Sequence, residues 1–233
     1  MDQKTYQGSS LNGYQMSQGY PDTEVDNNQK FYRSVLTWTA ATLVICGLSA
    51  LFIGPLVPPA MVLPISIAVL VGLLVASFVR NLLYKFADFF AIVVPAALGP
   101  VIYAVVAQYT SAGMGSVVIN ALLGTAMIFC IMAAIGWTSK KNFMSMGKYL
   151  FAIVLGLIAF SLLNIFLLKS AMISFVISIG VLIIFSLYII YDLQAVKTRA
   201  FGDKASIYAL NIFLDIYNIF ISLLQILGFL SKD

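Results

Sequence analysis

The sequence predicts an all-α integral membrane protein, a bundle of seven transmembrane helices with the C-terminal helix central and enclosed by the other six. Three observations predict it. Hydrophobic residues make up 61% of the chain and charged residues only 9%, where a soluble domain carries about 25% charged residues; the mean hydropathy of +0.99 agrees. Seven separate apolar runs each reach the roughly 20 residues that cross a bilayer. The last of these runs alone sorts its polar side chains onto one face.

In order, the spans fall at 35–57, 61–83, 89–109, 116–138, 149–168, 172–192 and 207–230. Pro58-Pro59 separates the first two, and the stretch from Arg80 to Asp88 the next pair. Ser111 to Gly115 and Ser139 to Lys148 supply the third and fourth breaks. Lys169 and the stretch from Val196 to Ala205 supply the last two. Pro64, Pro95 and Pro100 lie inside spans two and three, where proline implies kinks whose freed carbonyls must be satisfied by neighbouring helices or water. Residues 1–30 are rich in Gln, Ser, Gly, Asn and Tyr, a composition too polar to fold. They read as a disordered cytoplasmic tail ahead of a membrane domain at 31–233. No signal peptide is visible.

Charge gives the expected orientation. The tail and the even-numbered loops hold eleven Lys and Arg residues, and the opposite face holds only Lys169 and Lys232. The positive-inside rule then places the N-terminus in the cytoplasm and the C-terminus outside. Size and the short tail point to a bacterial inner membrane, with an organellar membrane as the alternative. The net charge of +4 sits in short loops and is no nucleic-acid signal. Histidine is absent, so proton sensing near neutrality falls to carboxylates. Cys46 and Cys130 lie in apolar runs without metal-site spacing and read as small core residues.

In span seven, Asn211, Asp215, Asn218, Ser222 and Gln225 follow at spacings of 4, 3, 4 and 3, which keeps them on one helical face. Such a helix turns that face to the bundle interior, lining a cavity or a packed polar seam. Asp192 closes span six. The topology brings Arg80, Asp192 and Asp215 to one level, at the same end of spans two, six and seven. A carboxylate inside a membrane span is costly and marks a functional site. Two within reach of each other share a proton, and Arg80 competes for one of them as an ion-pair latch. The bland alternatives are an Arg80 that snorkels to the headgroups, an Asp192 that is an ordinary helix-end acid, and an Asp215 in a structural interhelical hydrogen bond.

The run Phe185-Ser-Leu-Tyr-Ile-Ile-Tyr-Asp-Leu-Gln194, then Ala209-Leu-Asn-Ile-Phe-Leu-Asp-Ile-Tyr-Asn-Ile-Phe220 and Leu224-Gln-Ile-Leu-Gly228, resembles the signature of the Bax inhibitor family. Leu51-Phe-Ile-Gly54 and Leu63-Pro-Ile-Ser66 are similar to its bacterial members. The resemblance spans residues 31 to 230. It implies a seven-helix fold around the last helix and a pH-sensitive calcium leak, with no cofactor and no enzymatic activity. It further implies that Asp192 and Asp215 are the proton sensor, that Arg80 is the latch, and that Ca²⁺ and protons are the species handled. Two departures stand out: apolar Ala68-Val69-Leu70 where an acidic residue is expected, and Gln225 where an arginine is usual. Ca²⁺ takes about six to eight oxygens, so two carboxylates with Asn, Tyr and water support weak, transient binding, which suits a leak.

Two rival classes remain. Intramembrane aspartyl proteases also place a Tyr-Asp and an Asp on consecutive helices, but their Gly-x-Gly-Asp is here Ile212-Phe213-Leu214-Asp215. The second rival is a non-conducting regulator that binds a membrane protease or another membrane partner.

Overall fold

The computed structural model describes residues 23–79 and 82–231, with side chains from residue 27 onward. Among them are seven helices long and apolar enough to cross a membrane. They are α1 (Thr23–Phe52), α2 (Pro59–Phe78), α4 (Ala87–Ser111), α5 (Gly115–Thr138), α6 (Gly147–Leu163, which with its flanking turns makes the span Met144–Leu168), α7 (Ala171–Thr198) and α8 (Ala205–Leu230). A single turn, α3 (Leu82–Lys85), joins α2 to α4. The chain is thus an all-helical integral membrane protein.

The breaks follow local chemistry. After a short 3₁₀ turn at Gly54–Leu56, the diproline opens α2 with Pro59 at its first position, where a missing N–H costs nothing. α6 runs into a π turn at Asn164–Leu168, closed by Lys169 at φ 50°. The Asn164 amide pins this turn: its Oδ1 accepts from Ser170 N (3.1 Å) and its Nδ2 donates to Ser170 O (3.2 Å) and to Ser174 Oγ (2.8 Å). Ser170 then caps α7 by accepting from Ile173 N.

α1 starts at Thr23, ahead of the tail boundary that composition suggested. Residues 1–22 lie outside the described residues. The extension is held from outside: Arg199, in the α7–α8 loop, donates to Asn27 O (3.1 Å) and Asn28 Oδ1 (2.9 Å) and stacks 4.5 Å over the Phe31 ring. A polar composition does not report such contacts.

α8 packs on α1, α4, α5 and α7; α2 packs on α4, and α6 on α7. In the most apolar window of each helix, 44% of α8 is buried but only 6% of α2. The outer faces are greasy, as lipid requires. Leu122, Met127 and Ile131 on α5 and Phe166 and Leu167 beyond α6 are all exposed. Cys46 is buried in the core as expected, whereas Cys130 is exposed on α5; a thiol behaves as a small apolar group and is compatible with lipid there.

A close contact between α1 and α4 explains how α4 tolerates Pro100. Pro100 lacks the N–H that would bond to Ala96 O. Ser49 on α1 supplies the donor instead, with Oγ 2.5 Å from Ala96 O. Gly99 lets the helices meet: a Cβ there would lie 2.6 Å from Ser49 Cβ and 2.7 Å from both Ala50 N and Cys46 O. Gly99→Ala is therefore expected to destabilise by about 2–3 kcal/mol through overpacking. Ser49→Ala should cost about 1 kcal/mol, the scale of an interhelical hydrogen bond in a membrane. Thermal unfolding in detergent checks both; a Gly99→Ala protein as stable as wild type contradicts the close approach.

Candidate functional site

Three clamps set the end of the bundle that carries the acidic residues. Gln194, two residues past Asp192, binds the α5–α6 connection at both atoms: Oε1 accepts from Phe143 N (2.7 Å) and Nε2 donates to Lys141 O (2.6 Å). Tyr208, fully buried in the first turn of α8, closes the α7–α8 loop. Its hydroxyl accepts from Phe201 N and donates to Gly202 O, each at 2.8 Å, while its ring stacks on Phe201 and meets Phe31 edge-on. Ser206 donates to Asp88 Oδ1 (2.5 Å) and Lys204 Nζ to Lys85 O (3.0 Å), tying the start of α8 to the α3–α4 segment. With both helices fixed at this end, residues one to two turns inside them are held in register.

Asp192 on α7 and Asp215 on α8 meet there. They are 3% and 2% exposed and lie side by side with Asn211 on the wall of one cavity. Two buried carboxyl groups so close together cannot both ionise cheaply. Among the described residues Asp215 Oδ2 has no hydrogen-bond partner, an expensive state for a buried oxygen. Both acids line a cavity of about 550 Å³ between α2, α6, α7 and α8, with Asn211, Asn218, Tyr188 and Tyr191 around them. Among the described residues, no three or more His, Cys, Asp or Glu side chains cluster as a metal site.

The family model for the inhibitor of apoptosis-promoting Bax1 matches residues 28–232. The chain belongs to the Bax inhibitor family. It is 38% identical over 120 residues to an uncharacterised protein of Helicobacter pylori, covering 52% of this chain and 51% of that one. It is 37% identical over 118 residues to an uncharacterised membrane protein of Streptococcus pyogenes, 48% of this chain and 51% of the relative. It is 32% identical over 142 residues to the modulator of FtsH protease YccA of Escherichia coli, covering 58% and 61%. The chain thus spans about half the length of the first curated relatives it matches.

In this Bax inhibitor family chain the polar stripe of α8 divides. Asn211, Asp215 and Asn218 line the cavity; Asn218 also donates back to Leu214 O (2.7 Å). Ser222 is buried but does not line the cavity, and Gln225 lies beyond it, its Oε1 accepting from Ser178 on α7 (2.6 Å). The stripe is therefore cavity lining at one end and interhelical seam at the other. Arg80 lies outside the described residues. Sequence reasoning missed Ser178 and Gln194 as anchors and gave Tyr188 no place. The signal for Ser178 was a small polar residue within an apolar span.

Tyr208→Phe should leave the Phe201 N–H and Gly202 C=O without their partner. The expected loss is about 1–3 kcal/mol, the cost of buried groups left unmade, with cleavage by protease appearing first in the α7–α8 loop. Limited proteolysis and thermal unfolding measure this; an unchanged digestion pattern argues against the clamp.

Proposed function

We propose that this protein is a pH-sensitive calcium leak of a bacterial inner membrane, with the N-terminus cytoplasmic, the C-terminus outside and no enzymatic activity. The observation that carries this reading is the buried Asp192–Asp215 pair at the wall of a cavity between apolar helices, with one carboxylate oxygen unpartnered among the described residues. A shared proton joins α7 to α8. Its loss leaves two like charges in contact, which repel and attract a cation at the same time. Ca²⁺ would bind there weakly, through Asp192, Asp215 and the Asn and Tyr oxygens beside them, which suits passage rather than storage. Arg80 enters as the competing partner of the pair, a role that rests on the family resemblance.

A second reading is favoured by one comparison. The similarity to a modulator of the FtsH protease supports a regulator that binds a membrane protease without conducting.

Ca²⁺ flux into dye-loaded proteoliposomes, measured from about pH 5 to pH 8, separates the two. The leak reading expects flux that varies with pH in wild type and loses that variation in Asp215→Asn and Asp192→Asn. Flux no greater than in protein-free vesicles at every pH overturns the leak and leaves the regulator. Pairing the proton flux with a pH-sensitive dye then tells whether Ca²⁺ and protons move together.

A further inference from the structure

The cavity beside the carboxyl pair is larger and greasier than a hydrated cation needs. On α2 its lining runs from Leu63 to Ser77, about 21 Å along the helix at 1.5 Å per residue, so about 550 Å³ is spread over a long, thin space. Its acidic groups gather at the end near the α7–α8 loop, where Asp192, Asn211 and Asp215 lie. Away from that end the walls are mostly apolar, with Leu70, Leu157 and Ile165 among them and Ser66 and Ser161 as small polar exceptions, the Ser66 hydroxyl bonded back to Val62 O. No Lys or Arg is among the described lining residues. The rim consists of α2 and α6, which pack on α4 and α7 respectively rather than on each other. Between them the Phe78 and Phe151 rings meet edge-on at 6.0 Å. Both helices are largely exposed along their length, so the gap between them faces lipid.

The geometry points to a binding site for a single-chain lipophilic amine, its ammonium on the Asp192–Asp215 pair and its alkyl chain in the cleft between α2 and α6. Two buried carboxyl groups side by side make the polar end of the cavity acidic, and among the described residues Asp215 Oδ2 has no hydrogen-bond partner. An ammonium offers three N–H donors and a compensating charge. A fatty acid would place a third carboxyl group against the pair, and a neutral alcohol would leave its charge uncompensated. The alkyl chain removes apolar wall from water in proportion to its area, and it arrives directly from the bilayer through the gap. This occupant goes beyond the calcium leak and would compete with Ca²⁺ for the same oxygens. Its binding is read without any ion flux, so either idea can fail alone.

The probe is dodecylamine, titrated onto the protein in nanodiscs while thermal unfolding is followed by the fluorescence of Trp38 and Trp137, with dodecanol and dodecanoic acid as controls. At a hundredfold excess over Kd, a Tm rise of about 5–10 °C is expected with the amine alone. The rise should vanish in Asp215→Asn and in Leu70→Trp, which fills the cleft without touching the carboxyl pair. Native mass spectrometry of the same samples should show one retained amine per wild-type chain. No rise in wild type, an equal rise with dodecanol, or a rise that survives in both variants overturns the site. If Asp215→Asn does not fold, retention in wild type and loss in Leu70→Trp decide the question.

Discussion

The contact between Asp192 and Asp215 is the constraint around which this end of the bundle is organised. In a hydrocarbon environment a carboxyl group has few affordable states: protonated, paired or wet. Bringing two together lets one proton serve both, but only if α7 and α8 keep their relative depth to within a fraction of a helical turn. That explains why the polar contacts of the loop end are so dense. Gln194 fixes α7 against the α5–α6 connection two residues past Asp192. Tyr208 fixes the turn and the start of α8 seven residues before Asp215. The Tyr-Asp-Leu-Gln run at 191–194 is thus a compact unit: the acid for the site, and the amide that positions the helix bearing it.

The rest of the fold divides between helices committed to packing and helices that are not. α1 and α4 approach until only glycine fits at position 99, and there a serine on one helix repairs the backbone bond that a proline on the other removes. This is what the membrane demands of any interrupted helix. α2 has no comparable commitment: it rests on α4 and leaves its other side to the cavity. A bundle built this way can be rigid around α8 on four sides and open on the fifth.

The spans were legible because their signal is thermodynamic and summed over about 20 residues. Diproline, Lys169 and the Ser111 to Gly115 stretch marked ends for local steric reasons that survive in the fold. The polar stripe of α8 was legible as one face, and Asp192 and Asp215 as neighbours, because helical periodicity and topology fix both. What stayed hidden depends on contacts between distant residues. Nothing in the composition of 23–30 announces a helix, and the contacts that hold it come from Arg199, some 170 residues on, at Asn27 and Asn28. The π turn at Asn164 reflects an amide finding Ser170 and Ser174 rather than any propensity of its own run. Sequence likewise left the stripe as either lining or seam; it is both, because the cavity ends between Asn218 and Ser222.

That division of the stripe bears on how a cation could cross. Asp215 and Asn218 are one turn apart on the cavity wall, but beyond them Ser222 is packed away and Gln225 is engaged with Ser178. The facing wall offers no second acid, since Ala68-Val69-Leu70 is apolar. An ion at the pair therefore has one strong anchor, and onward movement depends on water entering the greasy half of the cleft or on the seam between α7 and α8 parting. In the proposed leak, a proton shared by the pair would oppose both, since it would hold α7 to α8 and lower the charge that draws water in. Gating and conduction in this chain would then have a common origin: the protonation state that sets the helix contact also sets how polar the path is.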